Sequence, residues 1–321
     1  MKVCGSRLPH PSAHSITVDF EQRVTQMKTN CDFFVNKQTA FGKCDCHIHA
    51  ALGGEDWRGD IARNRLGADE NLLRRMLQTY RDAGYTHLRD GGDRWGISQR
   101  ARALAPEYGI VYKTPLSPLC KAGHYGSFIG TPWENLQDYA RLVKQQRQQG
   151  ADFIKLMISG LMDFNRYGVL TEPGLEAHEI RELIHIAGEE GFGVMLHCNG
   201  PRTAEAAAEA GADSIEHGAY LDIYALEAMK ENNVIWVPTL STIARIRGTG
   251  LFTEAALTKL LEGAMENVAQ FAALGGLVAT GSDAGARMVF HGADTEEKLL
   301  VAAGVDTHLQ ELANITIFQR F

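Results

Sequence analysis

Short apolar runs alternate with longer amphipathic segments along almost the whole chain from residue 44 onward. Eight of these runs have the length and composition of buried strands: 45–49, 86–90, 109–116, 152–159, 193–198, 214–217, 234–240 and 277–283. Segments with helical periodicity lie between them at 71–83, 136–149, 177–190, 203–210, 225–232 and 254–274. Several of these segments end at a glycine or asparagine stop signal. Strands and helices that alternate through short connectors give parallel strands with right-handed crossovers.

The number of these units favours one architecture. Eight strand–helix units predict an α/β protein of the (β/α)8 TIM-barrel class, and 321 residues are within the range of a single barrel domain. A doubly wound open sheet is the competing architecture, because eight strands are also compatible with it. We assign residues 44–321 to the barrel. Residues 1–43 show no clear periodicity and are interpreted as an N-terminal extension or cap, with a helix around residues 20–27.

Charge and composition exclude several classes of partner. The net charge is −7, from 32 Lys+Arg against 39 Asp+Glu, whereas a nucleic-acid or anionic-membrane partner needs a basic face. No run approaches the roughly 18–20 apolar residues of a membrane span, and residues 1–20 lack the apolar centre of a secretory signal. The 6 cysteines are too sparse for a disulfide framework. We therefore expect a cytoplasmic protein with reduced thiols, which binds neither nucleic acid nor membrane.

The first predicted strand carries the strongest local signal. Residues 45–49 read Asp-Cys-His-Ile-His, and alternate residues of a strand share a face, so His47 and His49 point together into the barrel. Two imidazoles that project together form a chelating pair for a borderline-soft divalent metal. Such a pair alone is weak support, because surface and core histidines are common.

Three further residues strengthen this interpretation, because each ends a predicted strand. His197 ends the fifth run, His217 the sixth and Asp283 the eighth. The carboxyl ends of all strands in a (β/α)8 barrel face one cavity, which is where such enzymes carry out their chemistry. Each residue alone could be a cap or a core residue. Their joint occurrence at strand ends predicts a metal site.

Lys155 lies within the fourth predicted strand. A buried ammonium is costly to desolvate, so the side chain must be neutral, paired or modified. Burial lowers the pKa of a lysine and frees its amine, which can take up carbon dioxide to form a carbamate that bridges two cations. The alternative is a structural lysine that pairs with a carboxylate or reaches the end of the barrel.

The order of these residues, and the segments 150–155, 212–218 and 280–285, resemble the amidohydrolase superfamily, in particular its imidazolonepropionase-like and prolidase-like branch. The resemblance extends over residues 43–320. It implies two divalent ions, with Zn expected and Mn, Fe, Co and Ni left open. The implied ligands are His47, His49 and Asp283 for one ion, His197 and His217 for the second, and a carboxylated Lys155 between them.

Two features depart from the pattern of that family. Its members usually carry a small β-sandwich built from segments on both sides of the barrel. Residues 1–43 do not resemble the strands of that sandwich, and the chain ends just after a stretch, 309–321, that resembles the last barrel helix. We therefore expect a barrel without the sandwich. Many relatives also have a histidine where this chain has Asn199, which bears on the substrate rather than on the metals.

The resemblance implies a binuclear metal-dependent hydrolase of a C–N amide bond in a peptide, an N-acyl amino acid or a cyclic amide. A hydroxide shared by the two metals attacks the carbonyl, and Asp283 acts first as general base and then as general acid. Asp90 either orients the imidazoles or caps the turn at residues 91–92. The substrate is expected to be a small amide or dipeptide-like molecule. Several arginines near the strand ends favour an anionic one.

Predicted substrate contacts come from the loops that follow the strands. They are His124, Tyr125, Arg166, Tyr167 and Asn199, with Arg202, Thr239 and Arg245 as further candidates. His124 falls where relatives have a glycine-flanked histidine near the substrate. The other residues could equally be solvated loop residues.

Three alternatives are left open. The first is another member of the same superfamily, such as a mononuclear deaminase, a lactonase or a decarboxylase, and the number of bound metals distinguishes the deaminase. The second is metal-free catalysis by Ser159 or Ser282 with a histidine, although neither serine lies in a nucleophile-elbow sequence. The third is a non-catalytic barrel that binds a ligand. A homo-oligomer is compatible with each of them.

Overall fold

Parallel strands and helices alternate through residues 41–321, the part of the chain that this computed structural model describes. The strands are β1 (Lys43–Ile48), β2 (Tyr85–Asp90), β3 (Val111–Lys113), β4 (Leu119–Lys121), β5 (Thr131–Trp133), β6 (Ile154–Met157), β7 (Val194–Cys198), β8 (Ser214–His217) and β9 (Ile235–Val237). Phe41–Phe321 form one compact unit.

The helices lie between and after these strands. They are α1 (Trp57–Asn64), α2 (Glu70–Asp82), α3 (Ile97–Leu104), a 3-10 helix (Ala105–Tyr108), α4 (Leu136–Gln148), α5 (Ala177–Glu189), α6 (Pro201–Glu209), α7 (Ile223–Glu231), α8 (Ser241–Ala244), α9 (Glu254–Ala273), α10 (Thr295–Ala302) and α11 (Thr307–Arg320). Side chains cap several of them: Asp69 accepts hydrogen bonds from two backbone N–H groups in the first turn of α2. No helix of residues 41–321 is long and apolar enough to cross a membrane.

The strands belong to two parallel sheets, in the orders β1-β2-β3 and β5-β4-β6-β7-β8-β9. Asp152 N, just before β6, donates a hydrogen bond to Thr114 O, just after β3, over 3.0 Å. β3 and β4 therefore act together as one barrel strand, which lies between β2 and β6.

The segment 277–284 joins the sheets on the other side. Ala279 N donates to Trp236 O of β9 over 2.9 Å, and Cys46 N of β1 donates to Thr280 O over 2.8 Å. Isolated parallel bridges, Trp236 with Val278 and Ile48 with Ala284, accompany these bonds. The order of neighbours is that of a TIM-barrel-like α/β fold, which confirms the predicted fold class.

Two predicted strands differ from the structure. The third, 109–116, contains only β3, and β4 lies beyond its predicted end; Pro115 and Pro118 between the two strands offer no N–H to a ladder. The eighth forms only bridges, because side chains occupy its backbone groups: Thr280 N donates to Asn314 Oδ1 over 2.8 Å, and Ser282 N donates to Asp45 Oδ1 over 2.9 Å. β5 was not predicted.

The longer predicted helices agree with the structure within two residues at each end. The helices α1, α3, α8 and α10 were missed. Each has eight residues or fewer, which is too short for a clear helical period. The predicted extension at 1–43 lies almost entirely outside the described residues. The same is true of its predicted helix around 20–27, and the expectation that this segment forms no sandwich strands stays a prediction.

β7 is buried on both of its faces, as a parallel strand covered by helices is. In β7, Val194, Leu196 and Cys198 pack in the core between sheet and helices, whereas Met195 belongs to a second cluster inside the barrel. Phe321, at the end of α11, is in that inner cluster, where its ring packs on Phe153 with 5.2 Å between centroids. Apolar side chains thus fill the interior of the barrel at the end where Phe321 lies, and the polar site lies further along the strands.

Candidate metal centre

The six predicted metal ligands line one cavity. They are His47, His49, Lys155, His197, His217 and Asp283. Ligand atoms of His47, His217 and Asp283 lie within 4.8 Å of one another. Asp283 Oδ1 is 3.2 Å from His49 Nε2 and 3.5 Å from His47 Nε2. The ring centroids of His197 and His217 are 4.5 Å apart. The chain therefore brings side chains from four strands and one irregular segment to a single place.

Backbone strain aims two of these side chains. His217 has φ 68° and Asp283 φ 59°, the left-handed region that non-glycine residues rarely adopt, at a cost of about 1–3 kcal/mol each. Two hydrogen bonds stabilise these backbone conformations: Asp283 N donates to His47 O over 2.8 Å, and Trp236 Nε1 donates to His217 O over 3.1 Å. The turn at His217 allows it and its neighbour Glu216 to approach the same imidazole, that of His47.

Burial keeps three of the imidazoles neutral, those of His47, His197 and His217. Desolvation, reinforced by the charge of Lys155, lowers the pKa of His197 to about 3. The pKa of His47 also falls well below its ordinary value, mainly through desolvation and then through Lys155. Desolvation, followed by the neighbouring histidines His197 and His47, does the same to the pKa of His217. A neutral imidazole offers one nitrogen lone pair, which is the form that binds metals.

Hydrogen bonds to the surrounding residues indicate which nitrogen is available. His217 Nδ1 lies 2.8 Å from Thr239 Oγ1, which leaves Nε2 to the cavity. His197 Nε2 lies 3.2 Å from Gly160 O, an acceptor, and 3.3 Å from Asn199 Nδ2, a donor, so both contacts hold the ring at Nε2. Three buried atoms of the cavity, His47 Nε2, His49 Nδ1 and Lys155 Nζ, have no hydrogen-bond partner among the described residues.

These donors fit a metal centre. Imidazole nitrogens, a carboxylate and an amine meet in a cavity where several of them lack hydrogen bonds, and burying such groups without a partner is costly. Divalent cations bound by imidazole and carboxylate would satisfy them.

A buried ion pair, Glu216 with Arg89, contacts His47 on the side away from the cavity. Glu216 Oε2 accepts from His47 Nδ1 over 2.7 Å, and Glu216 Oε1 accepts from Arg89 over 2.8 Å and from Ser214 Oγ over 2.6 Å. Arg89 also donates to Cys46 O over 2.7 Å, and both charged side chains are fully buried. A carboxylate at Nδ1 requires the proton there, so the lone pair of His47 is on Nε2 and faces the cavity.

The sequence contains a signal for this pair, although Sequence analysis predicted only Lys155 from it. Arg89 and Glu216 each lie inside a predicted buried strand, as Lys155 does. The same desolvation argument that indicated Lys155 applies to both.

Two buried aspartates support the loops of the site. Asp90 accepts from the backbone N of Gly92 over 2.5 Å and of Ala50 over 2.9 Å, and from the Tyr112 hydroxyl over 2.5 Å. Of its two predicted roles, these bonds favour the cap of the turn. Asp45 accepts from both Ser282 N and Ser282 Oγ, and burial raises its pKa to about 6. It thereby fixes the turn that presents Asp283.

A family model described as the amidohydrolase family matches residues 42–320. The chain belongs to this family. Ochratoxinase of Aspergillus niger is 27% identical over 254 residues, which are 67% of this chain and 51% of that protein. The chain thus spans about half the length of the curated relatives it matches.

Solved structures share the fold of this amidohydrolase-family chain. A Xaa-Pro dipeptidase with bound methionine in its active site superposes with a TM-score of 0.68 at 20% identity, over 85% of this chain and 72% of that one. A prolidase complexed with N-methylphosphonate-L-proline gives 0.66 at 22% identity, over 87% and 74%. At these identities the likeness concerns the fold alone.

Two of the predicted substrate contacts line the cavity of this family member. The ring of Tyr125 lies 4.6 Å from that of His197. Asn199 is buried, donates to Gly160 O over 2.9 Å and accepts from Ala219 N over 2.8 Å. Its amide therefore ties together the loops after β6, β7 and β8.

The other three predicted contacts do not line the cavity. His124 lies 3.1 Å from the Glu172 carboxylate, and Arg166 pairs with Asp163 over 2.6 Å while 69% of its side chain is exposed. Tyr167 packs beneath Lys259, whose Nζ lies 4.1 Å from the ring centroid. Their contact with substrate stays a prediction.

Proposed function

We propose that this amidohydrolase-family chain is a binuclear metal-dependent hydrolase of a C–N amide bond. The observation that carries the proposal is the convergence of six potential ligands in one cavity, three of them with buried atoms that have no hydrogen-bond partner among the described residues. One ion would be held by His47, His49 and Asp283, the second by His197 and His217, and a carboxylated Lys155 would bridge them.

Two divalent ions bound there, Zn²⁺ by the preference of imidazole and carboxylate donors, supply a hydroxide nucleophile at neutral pH and polarise the substrate carbonyl. Asp283 then accepts the proton of the nucleophile and delivers it to the leaving nitrogen, so that water adds across the C–N bond to give a carboxylic acid and an amine. Its position supports this role, since its carboxylate faces the cavity next to His47 and His49.

Lys155 is suited to carboxylation. Burial lowers the pKa of Lys155 to about 8. The negative charge of Glu216 partly opposes this shift, and the positive charge of Arg89 adds to it. A substantial fraction of the amine is therefore neutral near pH 7–8. The neutral nitrogen bonds to the carbon of carbon dioxide and loses a proton, which gives an anionic two-oxygen group. Because Lys155 Nζ has no partner among the described residues, this change breaks no hydrogen bond there.

The proposal includes a small-molecule, dipeptide-like amide as substrate and a cytoplasmic location. Membership of the amidohydrolase family supports an amide as substrate. The cavity, about 480 Å³, has the size of a small-molecule site.

Metal analysis of the purified chain tests the proposal, together with hydrolysis of N-acyl amino acids, dipeptides and cyclic amides. We expect close to two divalent ions per chain and loss of activity with a chelator that returns when metal is added. One ion per chain with release of ammonia would favour a deaminase. A protein without metal, on which a chelator has no effect, would refute the proposal.

A further inference from the structure

Thr239 is a buried residue next to the metal centre that the proposed function does not use. The sequence made it a further candidate for substrate contact, but its side chain is fully buried and does not line the cavity. It follows β9 and Pro238, where the chain turns into α8. Its hydroxyl is therefore available to neighbouring side chains rather than to a substrate.

The backbone of Thr239 is strained. Its φ is 51°, in the left-handed region, which is rare for a β-branched residue. Two hydrogen bonds hold the turn in this conformation, because Thr242 N donates to Thr239 O over 3.0 Å and Thr242 Oγ1 donates to the same oxygen over 2.8 Å. Strain of this kind persists only where the surrounding contacts impose it, and it is concentrated at functional sites.

The strained turn places the hydroxyl beside a predicted metal ligand. Thr239 Oγ1 lies 2.8 Å from His217 Nδ1, and among residues 41–321 this is the only hydrogen bond of the Thr239 hydroxyl. His217 is itself strained, with φ 68°, and its Nε2 faces the cavity. Two strained residues, 22 positions apart, thus meet at one hydrogen bond.

The chemistry of an imidazole fixes the direction of this bond when a cation is bound. Nε2 of His217 can hold a cation only through its lone pair, so Nδ1 must then carry the proton and needs an acceptor. Within the described part of the chain no carbonyl or carboxylate accepts from this nitrogen. The hydroxyl oxygen of Thr239 is the acceptor within reach.

We infer that Thr239 is a positioning residue for His217: its hydroxyl accepts the Nδ1 proton and thereby presents Nε2 to the ion that His217 holds. The inference rests on the proposed function and adds a residue to it. It concerns His217 alone, because the proton of His47 has a different acceptor, Glu216. Loss of the hydroxyl should therefore weaken one of the two ions.

Two variants that differ in the hydroxyl test this role. Thr239→Val keeps the branched shape and removes the hydroxyl, whereas Thr239→Ser keeps the hydroxyl and removes a methyl group. Loss of the partner that orients a ligand histidine lowers metal affinity about 10- to 100-fold. Competition between Zn²⁺ binding and a chelator of known affinity should show this decrease for one ion in Thr239→Val and near-parental affinities in Thr239→Ser.

Thr316→Val is the matched control. It removes another partly buried threonine hydroxyl, which donates to Leu312 O within α11, far along the chain from the predicted ligands. Both Zn²⁺ affinities should stay parental in this variant.

Two further measurements separate positioning from other roles. Because Thr239→Val keeps every predicted ligand, excess Zn²⁺ should restore its kcat, which would not happen if the hydroxyl took part in the reaction. Nitrogen NMR of the Zn²⁺-loaded parent should show His217 protonated at Nδ1, and this measurement does not depend on the folding of a variant.

The outcomes separate this inference from the proposed function. Parental affinity for both ions in Thr239→Val, a Thr239→Ser variant as weak as Thr239→Val, or His217 without a proton at Nδ1 in the Zn²⁺-loaded parent overturns the inference while the proposed function stands. A parent chain that binds no second ion overturns the binuclear function, and the inference with it.

Discussion

Glu216→Gln tests how the buried ion pair controls the metal centre. The glutamine keeps the shape of the side chain but replaces one carboxylate oxygen by an NH2 group. At the position of Oε2, 2.7 Å from His47 Nδ1, that group donates a hydrogen bond instead of accepting one. His47 Nδ1 must then hold the lone pair, and the proton moves to Nε2, the atom that faces the cavity. The variant therefore presents the wrong tautomer to a metal.

Two magnitudes follow from the contacts of Glu216. Its carboxylate accepts from His47, Arg89 and Ser214, and it is fully buried. Loss of one charge of a buried pair costs about 3–5 kcal/mol, and since glutamine still offers Arg89 an oxygen, we expect about 3 kcal/mol of unfolding free energy to be lost. Loss of the partner that orients a ligand histidine lowers metal affinity about 10- to 100-fold.

The assay measures the two quantities separately. Denaturant unfolding in the presence of a chelator gives the stability of the metal-free chain, and competition with a chelator of known affinity gives the metal affinity. Glu296→Gln is the matched control, because Glu296 is another buried carboxylate but its bonds go to Leu240 N and Ser241. It should keep the parental affinity, whatever its change in stability. A Glu216→Gln variant with parental metal affinity would refute the tautomer argument, whatever its stability.

Three further predictions concern single side chains. Lys155→Ala should lose one or both metals and nearly all turnover, whereas Lys155→Glu should retain part of the metal. If metal analysis finds as much metal in Lys155→Ala as in the parent, the role of the lysine is structural. Asp283→Asn should keep the fold and much of the metal but lower kcat by about 10²–10⁴-fold, and a near-parental kcat would assign the proton transfer to another residue. Burial raises the pKa of Glu296 from 4.5 to about 7, so the folded state holds its proton more tightly than the unfolded state does. Its contribution to stability is thus present below pH 4.5 and lost as the pH rises toward 7. The difference in unfolding free energy between the parent and Glu296→Gln should change by about 3 kcal/mol over that range, and a difference independent of pH would contradict this pKa.

Local patterns in the sequence predicted the barrel because they depend on near neighbours. The alternation of strand and helix requires only the spacing of apolar residues within each segment, and that spacing predicted most strands of the barrel and all of its long helices except α11, which the family resemblance indicated. Where contacts from far along the chain decide the backbone, the prediction was wrong. Segment 280–283 is the example, since Asp45 and Asn314 occupy its N–H groups.

The predicted ligands could be found for a similar reason. His47, His197, His217 and Asp283 all end or follow strands, and barrel geometry alone requires that such positions share a cavity. The substrate contacts could not be found in this way. Arg166 and Arg287 are both loop arginines in the sequence, but only the second lines the cavity. Loop conformation depends on turns and tertiary anchors, such as the bond from Met288 N to Gly54 O.

The sequence by itself thus determined the fold class and which side chains converge, because strand periodicity and the common end of parallel strands are local and geometric rules. Only the tertiary structure decided which nitrogen of each imidazole faces the cavity and how the wall is lined. The tautomer of His47 depends on Glu216, 169 residues away, and Glu216 depends in turn on Arg89, 127 residues from it. A proton position set by the field of two buried charges requires their distances, and those exist only in the folded chain.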